Sequence, residues 1–133
     1  MESLENDCII YWIENGILHS QFKKNTILTT QNIEEVIQLR HNISNNQMQY
    51  WCADMANLIE YKKGARDYAE IHGQEFLHAT AAIVNSHIAR FILNTYMQLK
   101  KAHVPLKAFR HKKDAIIWLN EMKENIELIN NKK

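Results

Sequence analysis

Residues 79–119 read as apolar strand, helix, short strand and helix in unbroken succession, and that order leaves few folds open. The run from Ala79 to Val84 is apolar at nearly every position, as a strand buried on both faces must be. The pair Asn85-Ser86 follows with helix-start chemistry, and Ile88, Phe91, Ile92, Thr95, Tyr96 and Leu99 then recur at helical spacing. Val104-Pro105 breaks that helix. Leu106 to Phe109 supplies a short strand, and Ala115, Ile116, Leu119 and Met122 outline the inner stripe of a last helix. A strand, a crossover helix and a second strand laid parallel is the simplest way to bury such runs.

Upstream, Cys8 to Ile13 and Ile17 to Phe22 are two strands rich in Ile, Tyr, Trp and Phe. They flank Glu14-Asn15-Gly16, and Asn-Gly is the strongest short hairpin signal. The hydroxyls of Thr29-Thr30 suit a helix start, with Asn32 and Glu35 as an alternative capping pair. Ile33, Val36, Ile37, Leu39 and Ile43 then outline an amphipathic helix that Ser44-Asn45-Asn46 closes. Gln49 to Asp54 reads as the third strand, with Tyr50 and Cys52 on one face and Trp51 and Ala53 on the other. Residues 55–61 read as a loop, and Lys62 to Ile71 as a short helix stopped at His72-Gly73. Beyond Glu124 the last helix either extends by two turns or frays. The expected fold is α/β: a mixed, mainly parallel sheet of four or five strands, about four helices and an N-terminal β-hairpin.

At 133 residues the chain is long enough for one core and reads as a single domain over 1–133. Sixteen Lys plus Arg against fifteen Asp plus Glu give a net charge of +1, so no global field draws in nucleic acid or an acidic membrane. No apolar run reaches the roughly 18 residues a membrane span needs. The N-terminus carries acidic residues where a signal peptide would be basic, so no stable membrane insertion and a cytoplasmic location are expected. Cys8 and Cys52 are too few for a disulfide framework and suit buried thiols within strands.

Several segments together resemble a known family. They are the third strand ending at Asp54, Ala65-Arg66-Asp67-Tyr68, Ala82-Ile83-Val84-Asn85-Ser86, Arg90 with Asn94, and the closing Pro105, Phe109, Ala115, Trp118 and Leu119. Their order and spacing over about residues 7–123 resemble the STAS domain of anti-sigma-factor antagonists and sulfate-transporter tails. The closer similarity is to short bacterial single-domain proteins grouped with the STAS and CRAL-TRIO folds. The resemblance implies a binding or signalling role with no established enzymatic chemistry. STAS antagonists are switched by phosphate on a Ser or Thr at the helix after the third strand, but residues 55–64 here hold neither. The phosphosite therefore does not carry over.

Open α/β sheets bind ligands beyond the carboxyl ends of their parallel strands. Here those ends bring Asp54, Asn57, Asn85, Ser86, Arg110 and His111. Against that stands the plain reading, in which Asp54 and Asn57 order a turn, Ser86 caps its helix, and Arg110 and His111 are solvated. Arg66, beside Lys62 and Lys63, could take an anion at a helix start or lie on a solvated face. Arg90 and Asn94 lie four apart on the next helix and could pair together or face a partner. The seven His (19, 41, 72, 78, 87, 103 and 111) form no His-Glu-x-x-His pair, and neither Cys has a second at metal spacing. No metal and no cofactor are expected. Cys52 or Cys8 would act as a nucleophile only beside a base, for which His78 is the candidate.

The apolar arc of the helix 86–101, from Ile88 round to Met97, is wider than one sheet contact needs. It raises the expectation of a homodimer through that helix. The preferred function is a non-enzymatic regulatory or protein-interaction module with a protein partner. The alternative is a small-molecule or lipid carrier of the CRAL-TRIO kind, and a weaker one is an enzyme centred on Cys52, Asp54 or Asn85.

Overall fold

Asn15 (φ 53°) and Gly16 (φ 77°) both occupy the left-handed region, the backbone a two-residue hairpin turn demands. In the computed structural model of the chain they join β2 (Ile9–Glu14) to β3 (Ile17–Phe22). A short strand, β1 (Ser3–Glu5), precedes them. The Asn6 side chain makes the link by accepting from the backbone N–H groups of Cys8 and Ile9. The structure describes residues 2–99 and 104–131. Cys8 lies in that link, just before β2, rather than within the strand as expected.

The chain continues through β4 (Thr26–Leu28), α1 (Thr30–Ser44), β5 (Gln49–Asp54), β6 (Leu58–Tyr61) and α2 (Lys63–His72), then β7 (Leu77–Ile83), α3 (His87–Leu99), β8 (Leu106–Phe109) and α4 (Lys112–Asn131). Thr29 caps α1 in a capping box, accepting from the Asn32 backbone while the Asn32 side chain accepts from Thr29. The last helix runs on to Asn131, the longer of the two expected ends.

The main sheet has the order β1-β2-β3-β5-β7-β8. Its first two pairings are antiparallel and the next three parallel. The α/β class, the mixed and mostly parallel sheet, the four helices and the leading hairpin agree with the sequence. The sheet holds six strands rather than four or five, because Ser3–Glu5 adds an antiparallel edge. The expected loop at 55–61 contains β6, which pairs in parallel with β4 as a separate two-stranded sheet. Strands of three and four residues leave little alternation to read, and their pairing is visible only once the chain is folded.

The three parallel crossovers step the same way across the sheet, so right-handed connections place α1, α2 and α3 on one face. That face packs Leu18, Ile33, Val36, Leu58, Ala65 and Ile92 in one cluster, with Ala82, Val84, Ala89 and Leu93 adjoining. The opposite face, formed by Ile17, Tyr50, Cys52, Ala79, Ala81 and Ile83, is covered by Ala115 and Leu119 of α4. Tyr50 and Cys52 thus face away from Trp51, as the strand period requires.

Candidate functional site

The carboxyl ends of the parallel strands are built largely of residues that hold the backbone in place. Asp54 Oδ1 accepts from the Ala56 N–H at 3.0 Å. Asn57, at φ 71°, donates from its side-chain amide to the Phe22 carbonyl at 3.2 Å. Together they shape the turn from β5 into β6 and tie it to the end of β3. Ser86 Oγ accepts from the Ala89 N–H at 3.1 Å, which starts α3. Asn85, Arg90, Asn94, Arg110 and His111 are exposed. Among the described residues no hydrogen bond or ion pair joins any of Asp54, Asn57, Arg66, Asn85, Ser86, Arg90, Asn94 and Arg110 to another.

Arg66 stands apart from that set. Its neighbours on α2 are charge-balanced, with Lys63 paired to Asp67 at 2.8 Å and Lys62 to Glu60 at 3.8 Å. Arg66 itself lies in the wall of a surface groove between β6 and the first turns of α3, with its Nε buried and without a hydrogen-bond partner. Ile59, Tyr61, Ile88 and Phe91 line the same groove, and Glu60 and His87 flank it.

The sequence pattern assigns part of this groove's apolar lining to the core. The periodicity of α3 assigns Ile88 and Phe91 to its inner stripe, yet they are 56% and 73% exposed, and Ile59 is 44% exposed. The buried stripe is instead Ala89, Ile92 and Leu93. Ala89 is the reason: a methyl side chain lets the helix settle against Ala82 and Val84, whereas Ile88 at that spot would hold it off. Beneath-average bulk at Ala89, one position along from Ile88, was the available signal. Thr95, Tyr96, Met97 and Leu99, the rest of the expected arc, have side chains outside the described residues.

On the opposite face a second constellation appears. Trp12, His19, Cys52 and Ala81 form one cross-strand row, and adjacent strands place such neighbours about 4.8 Å apart. The rings of Trp12 and His19 stack with centroids 5.3 Å apart, and Lys112 Nζ lies 5.4 Å from the Trp12 ring. His19, rather than His78, is therefore the imidazole beside Cys52, while His78 stacks on Tyr50. Burial pushes the Cys52 thiol up to about 11, against the lowering effect of Lys112. Burial also lowers His19. A thiol raised by burial lacks the lowered pKa that activates a nucleophilic cysteine.

Among the described residues no three His, Cys, Asp or Glu side chains gather in a way that could hold a metal ion. His103 lies outside them. His72 Nδ1 meets Glu75 at 3.0 Å, and His87 and His111 are exposed. No helix among the described residues is long and apolar enough to cross a membrane.

Residues 11–123 match the model of a family described as a domain of unknown function (DUF7793). No curated protein and no solved structure matches the chain. The matched span runs from Tyr11 in β2 to Lys123 in α4, and so takes in the groove and both faces of the sheet.

Proposed function

We propose that the chain, which belongs to the DUF7793 family over most of its length, is a non-enzymatic regulatory module that docks a protein partner in the groove between β6 and α3. One observation supports this reading. Ile59, Ile88 and Phe91 are large apolar side chains, exposed at 44%, 56% and 73%, that line one groove. Clustered exposed apolar surface of this kind marks interaction sites, whereas single exposed residues do not. The unspent Nε–H of Arg66 in the groove wall fits a partner that presents a carboxylate or carbonyl beside an apolar side chain. The Ser86-capped start of α3 and the turn held by Asp54 and Asn57 fix the two sides of the groove.

The STAS-like resemblance points to the same kind of work, without the phosphorylated hydroxyl that controls the antagonists. The experiment uses a photo-crosslinking residue in place of Phe91 and, as control, in place of Ile117 on α4, which is also exposed. The crosslinked product at position 91 should disappear when Ile59→Glu is added, and the 117 control should give none. Equal products at both positions would overturn the reading. A product of twice the chain mass would identify the partner as a second copy, the homodimer the width of α3 raises.

A further inference from the structure

A cavity of about 130 Å³, partly open to the surface, lies between the sheet and the helices α1, α2 and α3. Tyr11, Trp51, Ala53, Ala82 and Ile92 contribute to its lining, together with Arg40. Native interiors are packed to crystal density and hold few voids larger than a water, so a space of this size is a feature of the fold. Its shape follows from the sequence. Alanines at 53 and 82, on neighbouring strands in register, put methyl groups where larger side chains would fill the gap.

We propose that this cavity is a binding site for one compact, neutral, apolar molecule of about benzene size, aromatic by preference. Size sets the first limit: an apolar cavity of about 150 Å³ in a well-studied engineered protein stays dry and takes up benzene or xenon. Two of the polar groups at the lining are already engaged. Tyr11 Oη donates to the Val36 carbonyl at 3.0 Å, and the Arg40 guanidinium donates to the carbonyls of Glu75 at 2.9 Å and Gly73 at 3.2 Å. A charged ligand would lose its hydration without matching compensation. The aromatic preference comes from Tyr11 and Trp51, whose centroids lie 6.4 Å apart and which offer edges and faces to a third ring. Ile92 and Tyr61 line both the cavity and the surface groove, so the ligand lies one side chain away from the proposed docking face.

The test titrates the full chain with benzene, indole and benzoate, following thermal unfolding and the methyl NMR signals of Ile92 and Ile37. At ten times the dissociation constant, benzene should raise Tm by about 4 °C and shift both methyl signals. Ala82→Leu, which fills the space, should abolish both effects, and Ala53→Ile is read in the same way if Ala82→Leu does not fold. No response of the wild-type chain to benzene or indole would overturn the proposal, as would full binding by a folded filled variant. Tighter binding of benzoate than of benzene would overturn the neutral ligand class. Xenon under pressure gives a reading that needs no variant: a bound signal supports the cavity site, and its absence overturns it.

Discussion

The guanidinium carbon of Arg40 lies 5.1 Å from the centroid of the Trp51 ring, at a position 1% exposed to solvent. The same group donates to the carbonyls of Gly73 and Glu75 just after α2. One side chain of α1 thereby clamps the end of α2 against the central sheet. A planar fork can stack and make both bonds at once, and an ammonium cannot. Arg40→Ala should cost about 3 kcal/mol through lost packing and two stranded carbonyls. Arg40→Lys should recover less than half of that. Urea unfolding measures both, and equal stability of the Lys variant and wild type would show that charge alone is enough.

Gly64 sets a second helix contact. A Cβ at that position would run into Thr30 Oγ1 at the start of α1. At an unobstructed helix site Gly→Ala gains about 1 kcal/mol, so the sign of the change reports the contact. Gly64→Ala should destabilise by about 2 kcal/mol. Adding Thr30→Ala should restore most of the loss, giving a coupling of at least about 1 kcal/mol in a double-mutant cycle. Additive effects would mean that the two helices separate freely.

The main sheet was legible because its strands carry strong local signals: Asn15-Gly16 names its turn, and Ala79 to Val84 has no polar face. The short strands β1, β4 and β6 were not, since three or four residues such as Thr26–Leu28 owe their conformation to partners distant in sequence. The groove was missed for a different reason. Periodicity finds an apolar arc on α3 but not which part of it turns inward, and Ala89 rather than Ile88 meets Ala82 because close packing favours the smaller residue. Sequence position alone gathers a set of polar residues at the strand ends. Their hydrogen bonds show backbone work for Asp54, Asn57 and Ser86, which residue type alone does not separate from ligand binding.

Cys52 is buried and its thiol is pushed up to about 11. Cys8 is half-buried, and burial followed by Asp7 and Glu35 raises its thiol too. Access then decides the order of reaction. Iodoacetamide at neutral pH should modify Cys8 in the native chain and Cys52 only after unfolding, read as one adduct and then two by mass spectrometry. Native labelling of Cys52 at the rate of a free thiol would show that His19 acts on it as a base.

Acid should weaken the fold through His19 and His41. Burial lowers both below the ordinary histidine value, with Lys112 adding to the effect at His19 and Arg40 at His41, while Glu14 and Glu75 oppose it. His41 Nε2 is also buried without a hydrogen-bond partner. Above about pH 6.5 both the folded and unfolded imidazoles are neutral. Below it the unfolded chain takes up protons first, so stability falls until the folded imidazoles titrate as well. Tm should therefore drop as the pH falls below about 6.5, and His19→Gln with His41→Leu should flatten that slope. An unchanged slope in the double variant would place the acid sensitivity elsewhere.

Phe91 gives the most direct access to the proposed docking face, because it contributes large apolar area at 73% exposure and little to the core. A charge there should leave the fold intact, with a change in stability within about 0.5 kcal/mol. If a second copy occupies the groove, wild type should show a concentration-dependent rise in sedimentation coefficient, and Phe91→Glu should remain a monomer at every concentration. Arg66→Met should weaken the association less, since it removes one donor and keeps the apolar stem. If wild type is itself a monomer throughout, the occupant is a different protein, and the same Phe91→Glu variant should then lose the crosslinked partner while keeping its thermal stability. Phe91→Glu that loses stability instead would mean that the ring belongs to the core and the groove is not a docking face.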